Sequence, residues 1–198
     1  MNTTYEDISR QKEELRRKLL KERQRIKKET LRKISDTIFH RITQLNVFAN
    51  ANVVHTYLAI EPNKEVDTWN IIDICHELGK EVVVPVMQTS TNTLSHYRID
   101  PDSTTFEKNK IGIIEPKNGE FVKNPAFDLI LVPMIGGDWG CNRLGYGKGY
   151  YDRFLEHQND VYTLGVMPDL CKVSEIPVED HDVPLSGIVT ESELWERE

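Results

Sequence analysis

The 198-residue chain has only three cysteines, Cys75, Cys141 and Cys171. They form an odd set without a C-x-x-C pair, which excludes a disulfide framework and a cysteine zinc site. No apolar run approaches the roughly 18 residues that a membrane-spanning helix needs. Residues 1–28 are densely charged where a signal peptide would carry an apolar stretch. The expectation is a cytoplasmic protein with reduced, unpaired thiols and no membrane partner, in which the Asn2-Thr3-Thr4 sequon has no secretory meaning. With 11 Gly and 9 Pro, the chain is too poor in both for a collagen-like or low-complexity polymer. A content of 38% hydrophobic and 29% charged residues excludes wholesale disorder. The six histidines show no metal-ligand spacing, and His55, within a strand, reads as a satisfied core or rim residue rather than a ligand.

What is present is unevenly spread. The net charge is −7, yet residues 1–45 hold 13 Lys and Arg against 7 Asp and Glu, whereas residues 46–198 hold 12 against 25. A basic amino-terminal segment on an acidic body suits an anionic small ligand better than a general polyanion. The competing function is a non-catalytic nucleotide-sensing or RNA-binding module that uses this segment. RNA readers add stacking aromatics, but from Arg10 to Leu45 the only aromatic is Phe39, so no nucleic-acid partner is expected.

Periodicity predicts an α/β fold: a mainly parallel central sheet flanked by helices, with a basic helical N-terminal segment and one domain over residues 1–198, as a monomer or weak homo-oligomer. Residues 5–45 nearly lack Gly and Pro and place Leu15, Leu19, Ile34, Ile38, Ile42 and Leu45 at helical spacing, giving two helices or one broken near Lys28 to Leu31. Val53 to Ala59 reads as a strand, followed by a helix opened by Asp67 or Thr68 and closed by Gly79, then a strand at Glu81 to Val86. That crossover is long enough for a parallel pair. Leu94 to Ile99 reads as a peripheral strand, Asp128 to Pro133 as a buried one. A glycine-rich loop over 136–149, a helix from Tyr150 to His157, and short strands at Tyr162 to Met167 and Gly187 to Thr190 complete the reading.

The run Asn142-Arg-Leu-Gly-Tyr-Gly-Lys-Gly-Tyr-Tyr-Asp152 lies between the buried strand and that helix. Glycines at 145, 147 and 149 allow backbone angles closed to other residues and let peptide N–H groups approach an anion. The helix N-terminus adds partial positive charge. Arg143 contributes a planar fork and Lys148 a mobile point charge. The pattern is neither a Walker A motif, since Gly147-Lys148 is followed by Gly149, nor G-x-G-x-x-G, whose third glycine would come one residue later. Asp152 falls in the first helical turn, where a carboxylate can cap the helix or, beside phosphates, serve Mg²⁺.

This loop, with Asp128 to Pro133 before it, strongly resembles the 5-formyltetrahydrofolate cyclo-ligase family. Lys12-x-x-Leu15-Arg16, Glu65-Val-Asp-Thr68, Ile113-Ile-Glu-Pro116 and Ile176-Pro-Val178 to Asp182 resemble its outer motifs in order and spacing. The resemblance implies ATP- and Mg²⁺-dependent conversion of 5-formyltetrahydrofolate to 5,10-methenyltetrahydrofolate. It implies that ATP is contacted by Lys12, Arg16, Arg143, Leu144, Gly145, Tyr146, Gly147, Lys148, Gly149, Tyr150 and Tyr151, with Lys148 and Arg143 acting on the transferring phosphoryl group. The folate side would be formed by Leu58, Glu65 and Tyr146 to Tyr150, and the magnesium carboxylates would be Asp152 and Asp182. The chain departs from the family pattern at Tyr146, where some members carry Arg, at Gly137, where Phe is usual, and at Ile111, where some carry an aromatic. Its loop from Leu58 to Glu65 is also about two residues longer than in some relatives.

Overall fold

The structure, a computed structural model, describes residues 5–109, 112–123 and 125–197; Ile111 and the Asn2-Thr3-Thr4 sequon lie outside them. Helices α1 (Tyr5–Arg23), α2 (Lys28–Thr43) and the short α3 (Asn46–Asn50) precede strand β1 (Val53–His55). Then come α4 (Trp69–Glu77), β2 (Glu81–Gln88), β3 (Thr93–Ile99), β4 (Phe106–Lys108), β5 (Ile114–Pro116), β6 (Glu120–Val122) and β7 (Leu129–Pro133). The rest comprises β8 (Gly136–Gly137), β9 (Arg143–Leu144), α5 (Tyr150–Leu155), β10 (Tyr162–Val166), β11 (Gly187–Val189) and β12 (Leu194–Glu196).

Eight strands make one sheet in the order β12-β11-β10-β7-β1-β2-β3-β6. The five central strands, β11 to β2, are mutually parallel, and the flanking β12, β3 and β6 pair antiparallel. The sheet is thus mainly parallel, as the βαβ pattern of residues 53–86 requires. Period-two alternation splits the strands between two cores. Val82, Val84, Leu129 and Leu131 face α2 and α4 through Ile34, Ile38, Ile42, Ile71 and Ile72. Val83, Ile130 and Val132 face the other way, toward Phe154 and Leu155 of α5 and Ile188 and Trp195. A smaller core of Leu19, Ile135, Leu144 and Ile176 seats α1. No helix of the described residues is long and apolar enough to cross a membrane.

Several expectations are corrected. The strand at residue 53 is shorter than expected and ends at His55, although Thr56 N still donates to Val83 O of β2 at 3.0 Å. The segment 94–99 is not peripheral: β3 is covered by β6, so it has partners on both sides. The glycine-rich stretch is not one loop, since β8 and β9 form a small antiparallel ladder within it. Its anchor is Asp138, 3% exposed. The Asp138 carboxylate accepts from the backbone of Gly140 and Asn142 at 3.0 Å each, from Asn142 Nδ2 at 3.1 Å and from Ile176 N at 2.9 Å.

Gly137 has a packing reason. A Cβ there would lie 2.6 Å from Met134 Cε and 2.7 Å from Ile188 Cδ1, so these side chains and Met167 occupy the volume that a larger residue would need. Gly137→Phe should therefore destabilise this chain by about 1–3 kcal/mol through overpacking. Urea denaturation would read it as a lower midpoint at unchanged slope. A midpoint at or above the parent's would show that the three side chains can repack.

The three cysteines are buried and unpaired. Burial pushes the Cys75 thiol up to about 12 and Cys141 and Cys171 up to about 11, so none is a ready nucleophile. His55 is fully buried among Phe127, Phe154 and His96, with neither ring nitrogen hydrogen-bonded. It is a core residue, held neutral because burial drives its pKa well down.

Candidate active site

In the sheet, β1 lies between β2, the next sheet strand in the chain, and β7, to which the chain returns later on the opposite side. Beyond the carboxyl ends of such strands the diverging connections leave a crevice, the usual ligand position of open α/β sheets. Here that crevice is a cleft of about 470 Å³. Its lining includes apolar side chains, among them Leu58, Ile60, Pro85, Met87, Leu94, Ile113, Ile114 and Pro133. It also includes Glu65, Arg143, Asp152 and the glycine run from Gly145 to Gly149.

The glycine run is shaped by its arginines. Gly147 (φ 81°) and Gly149 (φ 65°) are left-handed, a conformation strained for residues with a Cβ. At Gly145 the constraint is contact, because a Cβ would collide with the Arg143 guanidinium folded over it. Arg16 of α1 donates from Nε to Gly145 O at 2.9 Å and lies against Gly147. Arg153 donates to Lys148 O at 2.6 Å and to Asn92 O at 2.8 Å, tying the run to the β2–β3 connection. These bonds hold the backbone while leaving the Lys148 side chain exposed and without an ion pair among the described residues. Helix α5 has only six residues, shorter than expected, so the run's anion affinity rests more on its own N–H groups and cations than on a helix dipole.

Arg143 is 4% exposed at the side chain and pairs with Asp152 Oδ1 at 2.6 Å. Its guanidinium carbon is 5.7 Å from the Tyr151 ring centroid, and its Nε has no partner. Asp152 Oδ2 receives no hydrogen bond from a described residue. A carboxylate with one oxygen bound and the other open on a cleft fits a magnesium ion, which typically takes one or two protein carboxylates and fills its shell with water and phosphate oxygens.

The structure separates some residues that the sequence suggested would act together. Lys12, 4% exposed, donates to Glu179 Oε2 and Asp182 Oδ2 at 2.5 Å each. Neither Lys12 nor Asp182 is on the cleft wall, and Asp182 clusters with Glu179 and His181 in a group that does not include Asp152. Asp152 and Asp182 are thus each matched to a different cation, Arg143 and Lys12. Leu144 is placed with its side chain 1% exposed in the α1 core and its carbonyl accepting from Ile135 N at 2.8 Å. Leu58, Glu65, Tyr146 and Gly145 to Asp152 all line the cleft, Leu58 despite the longer loop that follows it.

Sequence reasoning missed Arg23. It is 1% exposed and donates to Asn63 O at 2.7 Å, Met134 O at 2.8 Å and Tyr146 Oη at 2.6 Å. Tyr146 in turn donates to Glu65 Oε1, and Ile60 N donates to Glu65 Oε2 at 2.6 Å. A signal was present: Lys12, Arg16, Leu19 and Arg23 stand at i, i+4, i+7 and i+11, one face of a helix, and that face is turned to these loops.

Comparison with known proteins gives one consistent answer. Residues 8–191 match the 5-formyltetrahydrofolate cyclo-ligase family. The 5-formyltetrahydrofolate cyclo-ligase of Escherichia coli K12 is 32% identical over 151 residues, covering 74% of this chain and 81% of the relative. A probable 5-formyltetrahydrofolate cyclo-ligase of Schizosaccharomyces pombe is 29% identical over 172 residues, covering 79% and 83%. Among solved structures, the 5,10-methenyltetrahydrofolate synthetase of Aquifex aeolicus superposes with a TM-score of 0.80 at 31% identity, covering 93% of this chain and 92% of the other.

Proposed function

The chain belongs to the 5-formyltetrahydrofolate cyclo-ligase family, and we propose that its cleft converts 5-formyltetrahydrofolate to 5,10-methenyltetrahydrofolate using ATP and Mg²⁺. The observation that carries this reading is one cleft lined both by apolar side chains and by a glycine run bearing Arg143 and Lys148. A flat, fused ring system fits the first, and a triphosphate fits the second. The buried carboxylate of Glu65 supplies the acceptor a pterin ring needs.

The chemistry explains the pairing. A formamide oxygen is a poor leaving group, so closing N10 onto the formyl carbon would require expelling something close to hydroxide. Transfer of the γ-phosphoryl group to that oxygen, with release of ADP, gives an iminium phosphate. N10 then attacks the carbon and gives up its proton to the departing phosphate or to solvent, the C–O bond breaks, and phosphate departs with the electron pair. No protein nucleophile is required, in accord with three buried cysteines whose thiols are pushed up in pKa.

The protein's part is alignment and neutralisation of charge on the phosphoryl group. N–H groups of Gly145 to Gly149 cradle the phosphates, Lys148 reaches the transferring group, and Arg143 orients Asp152. Arg16 holds the cradle from behind through Gly145 O. Asp152 would hold Mg²⁺, which when bound screens the phosphate charges. Lys12, in its buried pair with Asp182 and Glu179, fixes α1 against the 179–182 loop.

The test is near-ultraviolet absorbance of the conjugated methenyl product, with purified protein, 5-formyltetrahydrofolate, ATP and Mg²⁺, and parallel omissions of each. Product growth that requires all components is the expected result. Absence of product with saturable ATP binding by thermal shift would overturn the folate half of the reading and leave the nucleotide half.

A further inference from the structure

Arg23, Tyr146 and Glu65 form a chain whose direction is fixed by chemistry. A guanidinium only donates, so the Tyr146 oxygen accepts from Arg23 Nη2, and the single phenolic proton is directed to Glu65 Oε1. With Ile60 N–H on Oε2 and the Asn63 side chain also hydrogen-bonded to the carboxylate, only the remaining lone pairs can meet a ligand. The other two Arg23 bonds go to Asn63 O, on the cleft rim, and Met134 O, just past β7, so three separate segments share one planar fork. Arg23 itself does not line the cleft.

We propose that Arg23 is a positioning residue for the folate end of the cleft: it fixes the Tyr146 hydroxyl and thereby the lone pairs that the Glu65 carboxylate presents to ring N–H donors. The inference rests on the folate reading of this cleft. Burial raises the Glu65 pKa toward a neutral acid, which would place a donor where the ring needs an acceptor, and the Ile60 N–H, then the Tyr146 hydrogen bond and the Arg23 charge oppose that rise. Lysine at 23 would keep the charge but not the three-point fork.

The experiment is steady-state kinetics of Tyr146→Phe, Arg23→Lys, their double variant and Glu65→Gln, with KM measured separately for 5-formyltetrahydrofolate and ATP. Losing a hydrogen bond in a charged network predicts a folate KM raised about tenfold in Tyr146→Phe and in Arg23→Lys. The ATP KM should be unchanged and kcat should stay within about threefold. The double variant should resemble the worse single one, because both break the same chain. A merely structural role would lower active fraction and melting temperature without separating the two KM values. An unchanged folate KM in Tyr146→Phe, or single effects that multiply in the double variant, overturns the proposal. If Arg23→Lys does not fold, Tyr146→Phe decides alone. Glu65→Gln keeps the two levels apart: if it leaves the folate KM unchanged, the placement of folate against Glu65 fails, whatever Tyr146 does.

Discussion

Lys148→Ala should lower turnover by about 10²- to 10³-fold and leave the melting temperature within about 2 °C of the parent. The two halves of this expectation come from different observations. The Lys148 side chain is exposed and without an ion pair among the described residues, so removing it costs the fold what an ordinary surface substitution costs, about 0.5 kcal/mol or less. The backbone of residue 148 is held independently, through Arg153 on its carbonyl and left-handed glycines on both sides. The cradle should therefore survive in the variant with its most mobile charge gone. That charge acts where negative charge is being transferred, and one such contact is typically worth about 3–4 kcal/mol in the transition state. Single-turnover rates at saturating ATP, alongside a thermal melt, would check it. Near-normal turnover would remove Lys148 from the reaction; a large loss of melting temperature would mean that its stem packs on the cleft wall.

How much of this was legible in the sequence depends on the range of the interaction. The central strands and α2 were readable because continuous β-rich apolar runs and period-3.6 patterns are local, as in Val82 to Val84 and Ile34, Ile38 and Ile42. The glycine run was readable because its chemistry is written in consecutive residues. The strands β4, β5, β6 and β12 were not, because each has three residues and is defined by what it pairs with rather than by its own pattern. The same distinction governs the site. Asp152 beside a phosphate loop suggested a metal or a cap, but nothing local says that Arg143, nine residues earlier, is buried against it. Lys12 was read as a phosphate contact from its motif, whereas its partners lie more than 160 residues away. Leu144 was carried into the ligand set by its place in the run, although alternation within β9 turns it into the α1 core. Arg23 shares the helical face of Lys12 and Arg16, yet only the fold shows that this face meets Asn63, Met134 and Tyr146. The basic amino-terminal segment takes on a different meaning as a result: Lys12, Arg16 and Arg23 are matched to acceptors inside the molecule and are not available to an external polyanion.

That same long-range pairing decides what Asp152→Asn should do. The variant should lose at least about 10²-fold in turnover, because the open oxygen of Asp152 is the cleft's candidate for metal and the closed one orients Arg143. It should also be less stable, and for a separate reason. The Arg143 side chain is 4% exposed and already has an unpartnered Nε, so neutralising its only ion-pair partner among the described residues leaves a buried guanidinium uncompensated. Breaking a buried pair from one side costs about 3–5 kcal/mol, which for a chain of this size is a fall of about 6–20 °C in melting temperature. A lower melting temperature is thus expected under both a purely structural and a metal-holding role, and cannot choose between them. The discriminating quantity is the Mg²⁺ dependence of the residual rate, measured well below the variant's melting transition. If Asp152 holds the metal, the half-saturating Mg²⁺ concentration should rise by about tenfold or more, while a role confined to pairing Arg143 would leave it unchanged. Asp152→Glu sharpens the comparison, since it restores the charge beside Arg143 but moves the carboxylate by one methylene. Recovery of stability without recovery of turnover would place the lost activity at the position of the oxygen, and recovery of both would reduce Asp152 to a counter-ion.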